Sequence, residues 1–246
     1  MRKPITFAVV FIIAFTLTIT GQPLNNAAPK ANNKREELPE ATEAAKAIAC
    51  LGDLSRPALR ERLKQMRQLD NLSSQFLVQK IVEAQNLTIA TGKRVDRLKA
   101  VLQPVLEYHG RSQIPVYVLR SEQPKAYMVE RTVIFITTCL MMHASEEEIR
   151  GIVAHELAHE YVWDDGVKAM KAKDWKLQRE CELFCDAVAA FTLKEIGDNP
   201  ASYGRILERL TEIGIMARSA TRHESDTHPS LDTRKKLNKF LCQRLD

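Results

Sequence analysis

Apolar positions along this chain follow two periods. From residue 55 onward they recur mostly at helical spacing, and in one interval, Ile114 to Ile136, they close up into short runs. Helical spacing marks amphipathic helices, whereas short continuous runs mark buried strands. Ser55-Arg56-Pro57 has the cap-then-proline form of a helix start, with Leu59, Leu63 and Met66 along one face. Leu77, Ile81 and Ala84 mark a second helix. Leu98, Val101, Leu102 and Val105 mark a third, from about Val95 to Tyr108, which Gly110 can end. Pro104 lies inside that run and either kinks it or marks its true end.

The strand-like interval holds three runs: Ile114 to Leu119, Ala126 to Val129 and Val133 to Ile136. Their closeness predicts a small antiparallel sheet. Thr137 to Met142 can turn into a short helix. Ser145-Glu146-Glu147-Glu148 then forms a capping box with three acids at the positive end of the dipole, and Ile149, Ile152, Val153 and Leu157 supply the buried stripe. Trp163 to Lys176 reads either as an amphipathic cover or as a surface helix. Helices follow from about Leu177 to Lys194, from Ala201 to Arg218 and, after a break at Thr227-His228-Pro229, from Leu231 to Leu245. The predicted class is α+β and mostly helical, with the small sheet beside the helix that starts at Ser145.

Composition adds the limits. A chain of 246 residues, 45% hydrophobic and 27% charged, can bury one substantial core, assigned to residues 47–246. Arg2 and Lys3 followed by the apolar run Ile5 to Thr20 read as a signal peptide over residues 1–21, cleaved near Gly21, with a retained anchor as the alternative. Residues 22–46, rich in Asn, Ala, Pro, Glu and Lys, read as a flexible polar linker. Such a leader sets the protein outside the cytoplasm, periplasmic or secreted, and touching a membrane only if that segment stays. There some of the five cysteines can pair, Cys50 with Cys242 among the possibilities, and an odd count leaves one over. The formal charge of +5 is too mild for a nucleic-acid partner. Lysines and arginines of the last helix alternate with acids as on a solvated face.

The helix that opens at Ser145 carries His155-Glu156-Leu157-Ala158-His159. Two histidines four apart share a helical face and can converge on one ion, with Glu156 beside it to handle protons. A hydrolytic zinc site needs three protein ligands and an open position. Glu180 and Glu182 compete for the third place, and being two residues apart they point in roughly opposite directions. Asp186, one turn after Glu182, can accept a hydrogen bond from a ligand histidine, which favours Glu182 with Asp186 behind it.

The run Lys125 to Met128 with Val133 to Leu140, the pentapeptide, Glu182-Leu183-Phe184-Cys185-Asp186 and Thr227-His228-Pro229 to Arg234 together resemble the HtpX-like and CAAX-prenyl-protease-like zinc endopeptidases. The resemblance spans roughly Pro124 to Arg234. It implies a zincin-like peptidase domain, one Zn2+ ion held by His155, His159 and Glu182, Glu156 as the base, and a polypeptide substrate from exported or misfolded proteins. It further implies that His228 and Arg234 approach the cleft to stabilise the oxyanion, and that Ala126, Tyr127, Met128 and Val129 form the edge strand for an extended peptide. Val129-Glu130-Arg131-Thr132 stands where relatives carry glycines, Cys139 replaces a glycine and Cys185 an alanine. Two other readings stay open: a latent enzyme in which His228 or a cysteine fills the open zinc position, and a non-catalytic, chaperone-like zinc module.

Overall fold

The computed structural model describes residues 71–84, 86–216 and 228–245. The leader, the linker, the helix opening at Ser55, Cys50 and His223 lie outside the described residues. Two helices come first, α1 (Asn71–Ala84) and α2 (Lys93–Tyr108), the latter running through Pro104 without ending there. Leu102, Val105 and Leu106, all fully buried, hold that segment against the core and offset the lost backbone bond. Gly110, at φ 68°, ends α2 as a Schellman cap: Arg111 N donates to Leu106 O and Gly110 N to Glu107 O.

Three strands follow, β1 (Val116–Leu119), β2 (Ala126–Val129) and β3 (Val133–Thr137). Their order is β1-β3-β2, with β3 antiparallel to β2 but parallel to β1. The sheet is therefore mixed, which corrects the all-antiparallel expectation. Residues 120–125 carry the chain past the end of β3, so the last strand inserts between the first two. Two threonines fix that crossing. Thr137 Oγ1 accepts from Lys125 N and donates to Gln123 O, and Thr138 Oγ1 accepts from Ser121 N and donates to Ser121 O. No local pattern distinguishes this path from a meander, because it depends on which strand fills the centre.

Five helices complete the described residues after the short α3 (Thr138–His143): α4 (Glu146–Ala158), α5 (Trp163–Ala172), α6 (Trp175–Glu195), α7 (Ala201–Met216) and α8 (Leu231–Leu245). The charged stretch after Trp163 is broken at Lys173, which takes a left-handed conformation, and Asp174 then caps α6 at Leu177 N. Trp175 and Lys176 thus belong to α6. The main core is shared by α2, the sheet, α4, α6 and α7. α4 lies at its centre against α6, α7, α2 and β2. Gly151 eases that placement, since a Cβ there would sit tightly against Leu193 at 3.2 Å and Tyr203 at 3.3 Å. Among the described residues no helix is long and apolar enough to cross a membrane.

Candidate metal centre

The helix that presents the pentapeptide is pinned at both ends. At its start Ser145 Oγ accepts from Glu148 N, Ser145 N donates to Glu148 Oε2, and Arg209 pairs with the same carboxylate. Just beyond its end Arg111 grips Glu160, with Nε donating to both carboxylate oxygens and Nη2 to Oε2 at 2.6 Å. That Arg111 Nη2 also donates to Arg131 O, in the β2–β3 turn. Both charges of the pair are buried, so each depends on the other. His155 sits in the last turn of α4 and His159 caps it, where the negative end of the helix dipole favours a cation.

His155 and His159 are buried, their rings perpendicular and 4.9 Å apart between centroids. Ligand atoms of His155, Glu156 and His159 lie within 4.8 Å of one another. α6 delivers Glu182 opposite them. Its Oε2 lies 3.4 Å from His155 Nε2 and 3.5 Å from His228 Nε2, and its Oε1 lies 3.7 Å from His159 Nε2. Among the described residues neither oxygen has a hydrogen-bond partner, although the side chain is fully buried. A buried carboxylate left so is costly unless something else satisfies it. These separations exceed those of a good hydrogen bond. They match the edge of a tetrahedron, about 3.4 Å for metal–ligand bonds of about 2.1 Å. Two imidazoles and a carboxylate spaced in this way fit a zinc-type ion. Glu180, the competitor, is only half-buried and is not among the groups facing the histidines.

Behind the histidines lies a second set of groups. Asp186 Oδ1 is 3.0 Å from His155 Nδ1. Arg234, expected from the resemblance to approach the oxyanion, is instead engaged with Asp186: Nε donates to Oδ2 at 2.7 Å and Nη2 to Oδ1 at 2.5 Å. It reaches there because α8 packs closely on α7. A Cβ on Gly204 would collide with the Asn238 amide, one turn after Arg234. Tyr203, in the first turn of α7, places its hydroxyl 2.9 Å from His155 Nδ1 and 2.6 Å from Asp186 Oδ1. Cys185, at the alanine position of the relatives, lies with Sγ 3.3 Å from His159 Nδ1. Gln178, one turn before Glu182, is buried with neither amide atom hydrogen-bonded among the described residues. Nothing in their spacing alone announced Tyr203 or Gln178. Cys139, Cys181 and Cys185 are buried thiols that form no disulfide among the described residues.

Electrostatics follow from burial and these neighbours. Burial opposes charge on His155, but the Asp186 and Glu182 carboxylates outweigh it and hold the ring up at about 9. His159 is driven down to about 3, chiefly by burial. Glu182 is held far below the usual carboxylate range, because His228, His159 and His155 together overcome its burial. Glu156 is pushed up to about 8 by burial. Its Oε2 accepts a hydrogen bond from Met128 N at 3.1 Å, which ties it to the edge strand.

The sequence profile of peptidase family M48 matches residues 92–173, from α2 to the end of α5. A stretch of 48 residues is 44% identical to the protein named Protease HtpX homolog of Thermodesulfovibrio yellowstonii, covering 18% of this chain. That stretch spans 17% of the relative's length. Glu182, Tyr203, His228 and Arg234 lie beyond the matched residues, so their place in the site comes from the fold. Residues 92–173, with the H-E-x-x-H helix among them, are thus similar to the metallopeptidases of family M48, and part of the chain is similar to an HtpX homolog.

Proposed function

We propose that the protein is a zinc-dependent metalloendopeptidase that hydrolyses peptide bonds of exported or misfolded proteins. The observation that carries this reading is the Glu182 carboxylate, buried, without a hydrogen-bond partner among the described residues, and facing the Nε2 atoms of His155 and His159. These three residues would hold the ion, with Glu156 beside it. Zinc bound there would supply a Lewis acid able to lower the pKa of a water and polarise a carbonyl. Glu156 takes the water's proton and passes it to the leaving amine. Its Oε2 accepts from the Met128 amide, which holds the carboxylate beside the edge strand and leaves it further lone pairs for that proton.

Substrate adds to the sheet as an extended strand. Thr137 N donates to Lys125 O, and this pairing turns the backbone groups of Tyr127 and Val129 toward β3. Those of Ala126 and Met128 then face the outer edge, where the Met128 amide already meets Glu156. A peptide on that edge is thereby placed in register with the base. Arg234 we assign to holding Asp186, not to the oxyanion. The leader read from the first 21 residues would place the reaction outside the cytoplasm.

Zinc content and casein hydrolysis of wild type and Glu156→Gln test the reading. The expected outcome is one zinc per chain in both and hydrolysis only in the wild type. A variant that keeps both metal and full activity removes Glu156 from its role. One observation favours a second reading, a latent enzyme: His228 Nε2 stands as close to Glu182 as His155 does. If His228 fills the fourth position, His228→Ala raises hydrolysis, and if it helps the oxyanion, the same variant lowers it.

A further inference from the structure

We propose that Tyr203 is a positioning residue of the metal site, its hydroxyl holding His155 in the tautomer that is protonated at Nδ1 and presents Nε2 to the ion. The inference rests on the metal-site reading above. It follows from counting protons. A tyrosine hydroxyl has one proton to give and two lone pairs with which to accept. Three groups stand at hydrogen-bond distance from it: Asp186 Oδ1 at 2.6 Å, Arg234 Nη2 at 2.7 Å and His155 Nδ1 at 2.9 Å. A guanidinium only donates, so Arg234 uses one lone pair. Asp186, clasped by Arg234 through both oxygens, is ionised and only accepts. The single hydroxyl proton therefore goes to Asp186, and the remaining lone pair is left for His155, which must donate from Nδ1.

The opposite arrangement fails on the same distances. A hydroxyl turned toward an unprotonated Nδ1 would leave two oxygens 2.6 Å apart with no proton between them. It would also set that nitrogen 3.0 Å from a carboxylate oxygen, again with no proton. Both contacts lie in a fully enclosed site, where such repulsion is poorly screened. His159 has no such constraint from its sulfur neighbour. Cys185 Sγ lies 3.3 Å from its Nδ1, and a neutral thiol can donate or accept. The hydroxyl network is thus directed at one histidine. The Tyr203 ring also stacks on His155, centroids 5.8 Å apart at 19°, so removing the hydroxyl alone leaves the packing in place.

The test uses the full 246-residue chain and Tyr203→Phe. Zinc affinity is measured by competition with a chromophoric chelator, beside thermal unfolding of the metal-free proteins. The expected result is a zinc Kd about tenfold weaker for the variant, the scale on which groups behind a metal ligand act. A Kd within twofold of wild type, in a variant that still folds, overturns the inference and leaves the metal-site reading standing. A wild-type chain that takes up no zinc overturns both. Nitrogen-15 NMR of the zinc-loaded wild type decides independently of whether the variant folds. His155 bound through Nε2 with a protonated Nδ1 is expected, and ligation through Nδ1 sinks the inference.

Discussion

Glu182 meets three imidazole nitrogens with two oxygens that have no hydrogen-bond partner among the described residues, while Glu180, two residues earlier on the same helix, is half-buried. At the scale of single residues this difference is decisive, because a helix turns about 200° over two positions. Glu182→Ala should lower zinc affinity by at least a hundredfold, and Glu180→Ala should leave it within a few-fold, as read by chelator competition. The reverse order would mean that the wrong carboxylate has been assigned. That Glu182 is the acid facing the histidines was legible beforehand from Asp186 one turn on. The part taken by Tyr203 was not, since an aromatic residue at helical spacing looks the same whether its hydroxyl is idle or shared among three partners.

Among the elements, the β2–β3 turn departs most from its ordinary chemistry. Glu130 and Arg131 both take positive φ, 50° and 58°, as the two central residues of a tight hairpin do when the turn matches the strand twist. Glycine or asparagine usually stands in such positions, and an ordinary L-residue there costs about 1–2 kcal/mol. Arg131 has its own reason to be present: its guanidinium carbon lies 5.5 Å from the Trp163 ring centroid, and its carbonyl accepts from Arg111. Glu130 is exposed, so Glu130→Gly should stabilise the protein by about 1 kcal/mol, seen as a rise in Tm. A fall in Tm would show that the turn relies on the glutamate side chain. Sequence marked this turn as unusual through its missing glycines, but only the fold shows that Arg131 bridges it to α5 and, through Arg111, to the end of α4.

On the scale of the whole molecule, acid sensitivity has a specific source remote from the metal. His109 is enclosed by the packing of α2, α6 and the segment after α4. Nδ1 lies 2.5 Å from Tyr161 Oη and Nε2 lies 3.1 Å from Thr192 Oγ1. Burial lowers it to about 3, so the folded ring stays neutral while the unfolded one titrates near its ordinary 6.5. Between these values the unfolded chain binds more protons. Stability is therefore complete above about 6.5 and falls as pH drops toward 3, by about 1.4 kcal/mol per pH unit for this group. Tm of the metal-free protein should fall over that range, and His109→Gln should lessen the slope by this group's share, the buried His159 keeping its own. An unchanged acid slope in the variant would place the sensitivity elsewhere.

What the sequence by itself determined is what neighbours within a turn or two decide: the capping box at Ser145, the end of α2 at Gly110, the three strands, and the H-E-x-x-H face with Glu182 and Asp186 on one side of a later helix. Such features depend on backbone geometry repeated every 3.6 or 2 residues, and that geometry is the same in any fold. The tertiary structure alone decided which strand lies in the centre of the sheet, that Arg234 clasps Asp186, and that Tyr203 and Cys185 reach different histidines. Those pairings join residues far apart in the chain, and packing chooses them: Gly151 lets Tyr203 close on α4, and Gly204 lets Asn238, and with it Arg234, close on α7.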